Sequence, residues 1–214
     1  MILNNESAGI LADYLLQIKA IKLQPKNPFK WASGILSPIY CDNRVILSYP
    51  KIRTYVRQEI AKLVEKELPT PNVIVGVATG GIAIGALVAE ELGLPFAYVR
   101  AAGKGHGMKN QIEGVVNPGQ NALVIEDLIS TGGSSLNAVK ILREADCKVT
   151  HMVAIFTYGF DISEEAFKNE NVSLITLSDY SILLDRALHA DYINDEELVL
   201  LNEWRSNPKL WEKV

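Results

Sequence analysis

Two acidic residues stand at the end of an apolar run and are followed by a loop of serine, threonine and glycine. The segment reads VIEDLISTGGSS over residues 124–135, with the acids at Glu126 and Asp127, and it leads directly into a helical pattern. The start of a helix after a parallel strand offers unpaired N–H groups and a positive dipole end to an anion. We expect Gly132 and Gly133 to adopt positive φ values and to let the backbone approach that anion. The hydroxyls of four loop residues would add donors: Ser130, Thr131, Ser134 and Ser135.

The two acids narrow the kind of anion that the loop can bind. Carboxylates beside a phosphate are unfavourable unless they hydrogen-bond neutral hydroxyls or face a divalent cation. The loop has neither the lysine of a Walker A motif nor the three glycines of a dinucleotide fingerprint. A ribose phosphate, which carries both hydroxyls and phosphate, fits this pattern. The alternative is that the acids only end a strand and that the Gly–Ser run only caps a helix.

Composition limits the class of protein. The 214 residues are 48% apolar and 21% charged, enough for one domain over residues 1–214 with a full core. The net charge of −4 argues against nucleic acid as the main partner. We find no basic leader followed by an apolar stretch and no window long enough to span a membrane, so cytoplasm is the expected location. Cys41 and Cys147 have no metal-binding spacing and are expected to be ordinary thiols.

The elements that would position the loop alternate between strands and helices. Apolar spacing predicts helices over residues 8–21, 51–68, 81–93 and 134–145. Apolar runs predict buried strands over residues 72–78, 94–100, 121–127, 148–158 and 172–177. Packing helices follow from residue 178, with Ser178 or Asp179 as a cap. This order predicts an α/β fold with a parallel sheet covered on both faces.

Three segments carry a resemblance to a known family. Residues 124–135 resemble the phosphoribosyl pyrophosphate-binding motif of type I phosphoribosyltransferases. Residues 27–44, NPFKWASGILSPIYCDNR, resemble the N-terminal signature of orotate phosphoribosyltransferases, and residues 99–114, VRAAGKGHGMKNQIEG, resemble their catalytic loop. The resemblance implies a central, mostly parallel sheet flanked by helices, with a small N-terminal hood (about residues 1–48) and a flexible catalytic loop (residues 101–117).

The resemblance also implies an activity. Members transfer the 5-phosphoribosyl group from phosphoribosyl pyrophosphate to orotate, which gives orotidine 5′-monophosphate and pyrophosphate in pyrimidine biosynthesis. It implies Mg²⁺ carried by the substrate rather than by protein side chains, and a homodimer in which the loop acts across the interface. No nucleic-acid or membrane partner is expected. Two alternatives remain: a type I transferase of another base, and a regulator of the same fold that senses phosphoribosyl pyrophosphate.

The site residues implied by the resemblance fall into three groups. Three are catalytic: Lys104, His106 and Asp127. Those that would contact phosphoribosyl pyrophosphate are Arg100, Lys104, His106, Glu126, Asp127, Leu128, Ile129, Ser130, Thr131, Gly132, Gly133 and Ser134. Those that would contact orotate are Tyr40, Cys41 and Ser130. Lys104 and His106 would neutralise the departing pyrophosphate and exclude water, although they could also be solvated surface residues.

One further loop and two departures from the family pattern complete the prediction. The strand-to-helix turn GVATGGIAIG, residues 76–85, would meet the pyrophosphate through its main chain, or could be a plain turn at Gly80 and Gly81. Ala32 stands where other members have a lysine near the base, and FTYGF, residues 156–160, lacks their arginine. Arg44 is a candidate replacement. His151 and His189 match no motif and are expected to be structural.

Overall fold

The computed structural model describes residues 1–2, 4–30, 34, 36–100, 111–208 and 211. The strands in chain order are β1 (Ile21–Leu23), β2 (Phe29–Lys30), β3 (Leu36–Ser37), β4 (Ile39–Cys41), β5 (Val73–Val77), β6 (Phe96–Val99), β7 (Ile112–Glu113), β8 (Ala122–Ile129), β9 (His151–Thr157) and β10 (Ser173–Asp179). The α-helices are α1 (Asn5–Gln17), α2 (Pro50–Glu67), α3 (Gly80–Leu92), α4 (Gly133–Glu144), α5 (Asp161–Asn169), α6 (Tyr180–His189) and α7 (Asp195–Ser206). A 3₁₀ helix, Asn43–Ser48, precedes α2.

Six of these strands form the central sheet in the order β10-β9-β8-β5-β6-β7. The first five are parallel, and β7 pairs with β6 in the antiparallel sense. Every residue of β5 is buried, as expected for a strand with both faces covered. The predicted α/β fold with a mostly parallel sheet is therefore confirmed.

Side chains that alternate along the strands pack into two apolar clusters, one on each face of the sheet. In β5, Ile74 belongs to the hood-side cluster, which also contains side chains from the N-terminal segment and from α2, α3, α6 and α7. Val73 and Val75 point the other way, into the α4-side cluster with Leu142 of α4 and Phe167 of α5. None of the helices in the described ranges is long and apolar enough to cross a bilayer.

The N-terminal segment adds two small antiparallel pairs, β1 with β4 and β2 with β3. Ile21 of β1, Ile39 of β4 and Ile46 of the 3₁₀ helix are fully buried in the hood-side cluster. Among the described residues of 1–48, the buried apolar side chains thus join the cluster that covers the sheet and do not form a separate core. That the segment acts as a hood over a base site stays a prediction.

The helix predicted over residues 8–21 begins later and ends later than the observed helix α1, Asn5–Gln17. Asn4 caps α1 by accepting a hydrogen bond from Ser7 N, and the helix ends at Gln17. Lys19 has a φ of 56°, which the helix cannot continue through. Ile21 then pairs with Cys41 in β1, so its apolar side chain serves a strand rather than a helix.

Three other expectations differ from the structure. The strand predicted over residues 121–127 continues to Ile129, which pairs with Thr157 of β9. Helix α5, between β9 and β10, is absent from the prediction because its only large buried apolar residue is Phe167. Of the loop predicted over residues 101–117, residues 101–110 lie outside the described residues, whereas Ile112–Glu113 form the ordered edge strand β7.

The ends of α2, α3 and α6 agree with the sequence signals. Helix α2 has Pro50 in its first turn and ends at Glu67, just before the prolines that follow it. Gly93 ends α3 with a φ of 64°, a left-handed conformation that glycine adopts without strain. Asp179, rather than Ser178, caps α6 by accepting a hydrogen bond from Ile182 N.

Candidate active site

Asp127 is held between the N-terminal segment and the start of α3. The side chain of Asn43 donates from Nδ2 to the main-chain oxygen of Asp127 at 2.7 Å. On the other side, a Cβ built on Gly80 would lie 2.1 Å from Asp127 Cγ. A Cβ on Gly81 would lie 2.3 Å from the main-chain oxygen of Ile125. The two glycines are thus required by close approach to β8, and a role of their turn in meeting pyrophosphate stays a prediction.

Glu126 points into the protein. Only 5% of the residue is exposed, and its carboxylate accepts hydrogen bonds from Asp127 N at 3.0 Å and from Ser135 Oγ at 2.9 Å. Burial, followed by a hydrogen bond to Asp127 and by the charge of Asp127, raises the pKa of Glu126 to about 8. Both oxygens are engaged within the protein, so a role of Glu126 in binding ribose hydroxyls remains a prediction.

The raised pKa of Glu126 makes stability depend on pH. A carboxyl group whose folded pKa lies above its ordinary value of 4.5 stabilises the fold at low pH, and this contribution is lost as pH rises through about 8. Glu126→Gln, whose amide can accept from Asp127 N and donate to Ser135, removes the titration. We therefore expect the stability of the variant relative to the wild type to be greater by about 4 kcal/mol at about pH 9 than at about pH 5.

Urea denaturation at these two pH values measures the difference between the free energies of unfolding. Glu164→Gln, a change of an exposed carboxyl on α5, is the control and should shift stability equally at both values. If the difference between Glu126→Gln and the wild type is the same at both pH values, Glu126 does not titrate in this range.

The loop after β8 leaves the start of α4 open. Gly132 has the predicted positive φ, 82°, and α4 begins without a side-chain cap. Gly133 was expected to have a positive φ as well, but it is the first helical residue of α4, and a Cβ there would meet nothing within 4 Å. This open space in front of unpaired N–H groups suits an anion. Thr131 and Ser134 are exposed and Ser130 is half-buried.

Ser135 is placed differently from the prediction, and Ile129 is buried in the sheet. The hydroxyl of Ser135 is buried against Glu126 and does not face the open end of α4, because the helix turns it toward β8. Ile129 is fully buried, and its carbonyl oxygen accepts from Tyr158 N at 3.1 Å and from Thr157 Oγ1 at 3.3 Å. Its side chain therefore cannot reach a substrate. Leu128 is half-buried against the hood-side cluster.

Arg100 follows β6 and lies beside the start of α4. It shares a small cavity of about 80 Å³ with Ala78 of the turn before α3 and with Ser134. Its Nη1 donates to Glu113 Oε1 at 3.0 Å, which ties it to β7. The structure thus places Arg100 next to the turn before α3 and the start of α4, the two turns predicted to bind anions. Lys104 and His106, the other predicted loop cations, lie outside the described residues.

Tyr40 and Cys41 are neighbours in β4, and Cys41 lies close enough to Asp127 to be affected by the charge of that carboxylate. The Tyr40 ring is exposed and its centroid lies 5.6 Å from that of Phe29. Cys41 Sγ donates to Asn43 Oδ1 at 3.4 Å. Burial, and then the charges of Asp127 and Asp42, raise the pKa of the Cys41 thiol well above its ordinary value. Cys41 is therefore a neutral thiol beside the acids and not a nucleophile.

Arg44 is already paired within its own segment. Its Nε and Nη2 donate to the two oxygens of Asp42 at 2.7 Å and 2.9 Å. This pairing raises the pKa of Arg44 above its usual value. Ala32, which occupies the position of a lysine in other members according to the resemblance, lies outside the described residues. His151 begins β9 at the end of the sheet opposite the acids, and His189 ends α6, so neither is part of the site.

Asn43 contacts Asp127 but is not among the residues predicted from the sequence. The residue stands inside the SPIYCDNR motif, three positions after Tyr40, and that position was the only available signal. Its contact with Asp127 joins residues 84 positions apart in the chain. The sequence identifies Gly80 and Gly81 as part of a strand-to-helix turn, but it does not predict their contacts with β8.

Comparisons with known proteins agree with this geometry. A family model described as the phosphoribosyl transferase domain matches residues 46–182. The chain is 56% identical to the orotate phosphoribosyltransferase of Phocaeicola vulgatus, over 95% of this chain and 96% of that protein. It is 50% identical to that of Porphyromonas gingivalis, over 94% of this chain and 96% of the relative.

Solved structures show the same fold. The orotate phosphoribosyltransferase of Aeropyrum pernix is similar with a TM-score of 0.75 and 26% identity, covering 86% of this chain and 99% of that one. The UMP synthase of Leishmania donovani gives a TM-score of 0.79 at 25% identity, covering 94% of this chain and 42% of the larger protein. By its full-length identity to curated members and by its fold, the chain belongs to the orotate phosphoribosyltransferase family, pentosyltransferases with the type I phosphoribosyltransferase fold.

Proposed function

We propose that the chain transfers the 5-phosphoribosyl group of phosphoribosyl pyrophosphate to N1 of orotate in pyrimidine biosynthesis. The bond from C1′ to the pyrophosphate oxygen breaks, the bond from C1′ to N1 forms, and N1 loses its proton. The products are orotidine 5′-monophosphate and pyrophosphate. The observation that carries the proposal is the hydrogen bond from Asn43 to Asp127, which holds residues 40–43 beside the acid that would face the ribose.

The two anionic ends of the sugar would bind at two turns. The open start of α4, with Gly133 in front of it, would take the 5-phosphate through N–H groups and the hydroxyls of Thr131 and Ser134. The main chain of residues 79–82, together with Arg100, Lys104 and His106, would take the pyrophosphate. Arg100 would then exchange its contact with Glu113 for the substrate.

Asp127 would act on the ribose. Positive charge develops at C1′ as the pyrophosphate leaves, and a fixed carboxylate nearby stabilises it. Gly80 leaves room for this carboxylate and limits where it can move. Glu126, which bonds to Asp127 N, would fix the main chain of Asp127 from behind.

Orotate would lie between the acid loop and the N-terminal segment. Main-chain groups of Tyr40 and Cys41 would contact the pyrimidine, and the hydroxyl of Ser130 would contact it from the other side. Because the Cys41 thiol stays neutral, it adds no negative charge next to an anionic substrate. Leu128 and Ile129 would contribute only through the backbone and packing of β8.

Mg²⁺ fits this arrangement as a cation that the substrate carries, and members of the family generally use it with phosphoribosyl pyrophosphate. Among the described residues, no group of three or more metal-ligating side chains is close enough to hold an ion. Asp127 is the carboxylate that could face it, because both oxygens of Glu126 are engaged. When bound, Mg²⁺ would offset the negative charge of the pyrophosphate, and water and substrate oxygens would complete its coordination.

The direct test is the orotate-dependent change in ultraviolet absorbance when phosphoribosyl pyrophosphate and Mg²⁺ are present. Adenine, hypoxanthine and uracil serve as alternative acceptors, and omission of Mg²⁺ serves as the control. Turnover with orotate, and little with the other bases, is the expected result. Consumption of phosphoribosyl pyrophosphate with another base but not with orotate would overturn the proposal.

We further infer a cytoplasmic homodimer without nucleic-acid or membrane partners, in which residues 101–117 of one subunit close over the site of the other. The net charge of −4 is unfavourable for nucleic-acid binding. The hydrogen bond from Arg100 N to Gln111 O joins the residues on either side of residues 101–110, so the two ends of that segment lie next to each other.

Mixing two inactive variants tests whether loop and acids act across subunits. Lys104→Ala and Asp127→Asn should each be nearly inactive alone. After subunit exchange in an equal mixture, about one quarter of all sites would carry both intact parts, so about a quarter of wild-type activity should return. Mixing Lys104→Ala with His106→Ala is the control, because both changes lie in the same loop and should not complement. No recovery after proven exchange would place each site within one chain.

A further inference from the structure

The anionic acceptor poses an electrostatic requirement that the residues assigned so far do not meet. If the proposed function is right, orotate brings an ionised carboxylate next to Asp127. Like charges at short distance disfavour binding unless a cation or donor group compensates. Arg100, Lys104 and His106 are assigned to the pyrophosphate. A separate cation must therefore serve the base.

Arg205 of α7 is a fixed guanidinium at the edge of this region. Its Nη1 donates to Ser181 Oγ at 2.8 Å, its Nη2 donates to the carbonyl oxygen of Gly159 at 3.2 Å, and its Cζ lies 6.0 Å from the centroid of the Tyr180 ring. Within the described ranges it makes no ion pair with a carboxylate. A guanidinium has five N–H donors, so donors remain for a ligand.

Gly159 places this guanidinium beside the base site. The residue lies in the turn at the carboxyl end of β9, and β9 pairs with the acid-bearing strand β8. A Cβ built on Gly159 would lie 3.4 Å from Arg205 Nη2. The guanidinium of α7 therefore occupies the space into which a side chain from this turn would extend.

The neighbours of Gly159 connect the turn to the N-terminal segment. Tyr158 is buried, and its ring centroid lies 6.3 Å from that of Tyr180 and 5.8 Å from that of Trp204. Burial, followed by the nearness of Cys41, raises the pKa of its hydroxyl well above the ordinary value. The indole N–H of Trp204 donates to the carbonyl oxygen of Leu36 at 3.2 Å. Helix α7 thus reaches both the turn after β9 and strand β3.

We propose that Arg205 recognises the carboxylate of orotate and selects it over uncharged pyrimidines. Arg44, the candidate from the sequence, is less suited because Asp42 already binds its guanidinium through two hydrogen bonds. Arg205 is held instead by a hydroxyl and a carbonyl oxygen, which orient the group without neutralising its charge. The carboxylate then receives charge-assisted hydrogen bonds, which are stronger than neutral ones.

Steady-state kinetics of Arg205→Gln tests the assignment. We expect KM for orotate to rise about 10- to 100-fold, with KM for phosphoribosyl pyrophosphate changed less than about twofold. The preference for orotate over uracil, as a ratio of kcat/KM values, should fall by a similar factor. Arg205→Lys keeps the charge but loses the planar guanidinium. Its KM for orotate should lie between those of the wild type and Arg205→Gln.

Two further variants separate recognition from folding. Arg143 of α4 is likewise anchored to the main chain, through the carbonyl oxygens of Val149 and Glu170, so Arg143→Gln is a matched control that should leave KM for orotate unchanged. Ser181→Ala removes one anchor of Arg205 at the surface, and we expect KM for orotate to rise about threefold. This second variant tests the assignment even if Arg205→Gln does not fold.

The outcomes distinguish this inference from the proposed function. An unchanged KM for orotate in Arg205→Gln and Ser181→Ala, with an active wild type, would overturn the role of Arg205 alone. Equal increases in KM for both substrates, with a lowered melting temperature, would show that Arg205 is only structural. A wild type that does not use orotate would instead overturn the proposed function, and the role of Arg205 with it.

Discussion

Asp127→Asn should lower kcat about 100- to 1000-fold with the fold intact. In the proposed mechanism the carboxylate faces the position where C1′ becomes positive, and asparagine has the same shape without the charge. The main-chain contacts of residue 127 with Asn43 and Glu126 do not involve the side chain that changes. Kinetics with saturating substrates measures the loss, and the urea midpoint measures the fold.

Asp185→Asn is the control for removal of one negative charge, because Asp185 is exposed on α6 and away from the acid strand. It should leave kcat unchanged. If Asp127→Asn retains more than about a tenth of wild-type kcat, Asp127 contributes less to the transition state than a residue beside developing charge should. The ribose would then be stabilised mainly by other groups.

Gly80→Ala should lower kcat about 100-fold while the protein remains folded. The added Cβ would lie 2.1 Å from Asp127 Cγ, so the carboxylate must move. The contact is with the end of a side chain, which can rotate away at small cost to stability. Moving the carboxylate by about an ångström is enough for a loss of this size, because catalysis depends on position. Single-turnover kinetics and thermal denaturation measure the two effects separately.

Gly81→Ala is the contrasting variant. Its Cβ would lie 2.3 Å from the main-chain oxygen of Ile125, which sits within β8 and cannot rotate away. Helix α3 would have to shift from the sheet, and we expect a loss of about 1–3 kcal/mol in the free energy of unfolding. Equal effects of the two substitutions on stability and on kcat would contradict this separation of roles.

Local signals in the sequence predict the parallel sheet and the acid loop. The prolines that bound α2, Gly93 at the end of α3 and the apolar runs of β5 and β8 all act within a few residues of the element that they define. The same holds for the open start of α4, because a helix that follows a strand and a glycine-rich loop presents its N–H groups whatever the rest of the fold does.

Features that depend on distant parts of the chain could not be predicted. Lys19 adopts a left-handed conformation and ends α1, although the apolar spacing continues through Ile21. Ile21 belongs instead to β1, which pairs with β4. Asn43 meets Asp127 only once the N-terminal segment has folded onto β8. The turn of Ser135 toward Glu126 depends on how α4 packs. Such contacts depend on the fold as a whole and not on sequence spacing.

The contacts of α7 have a consequence for synthesis. Residues 204 and 205 bond to Leu36 and Gly159, so the side of the site nearest the base lacks its last supports until the C-terminal helix has been made. At about 5–20 residues per second, the ribosome needs several seconds or more to go from Leu36 to Trp204. Once residues 124–135 have been made, the growing chain carries the proposed sugar-phosphate half of the site, while the proposed pyrimidine half still lacks its contacts with α7. If orotate binds as proposed, a newly made chain therefore completes its base site only after α7 has been made.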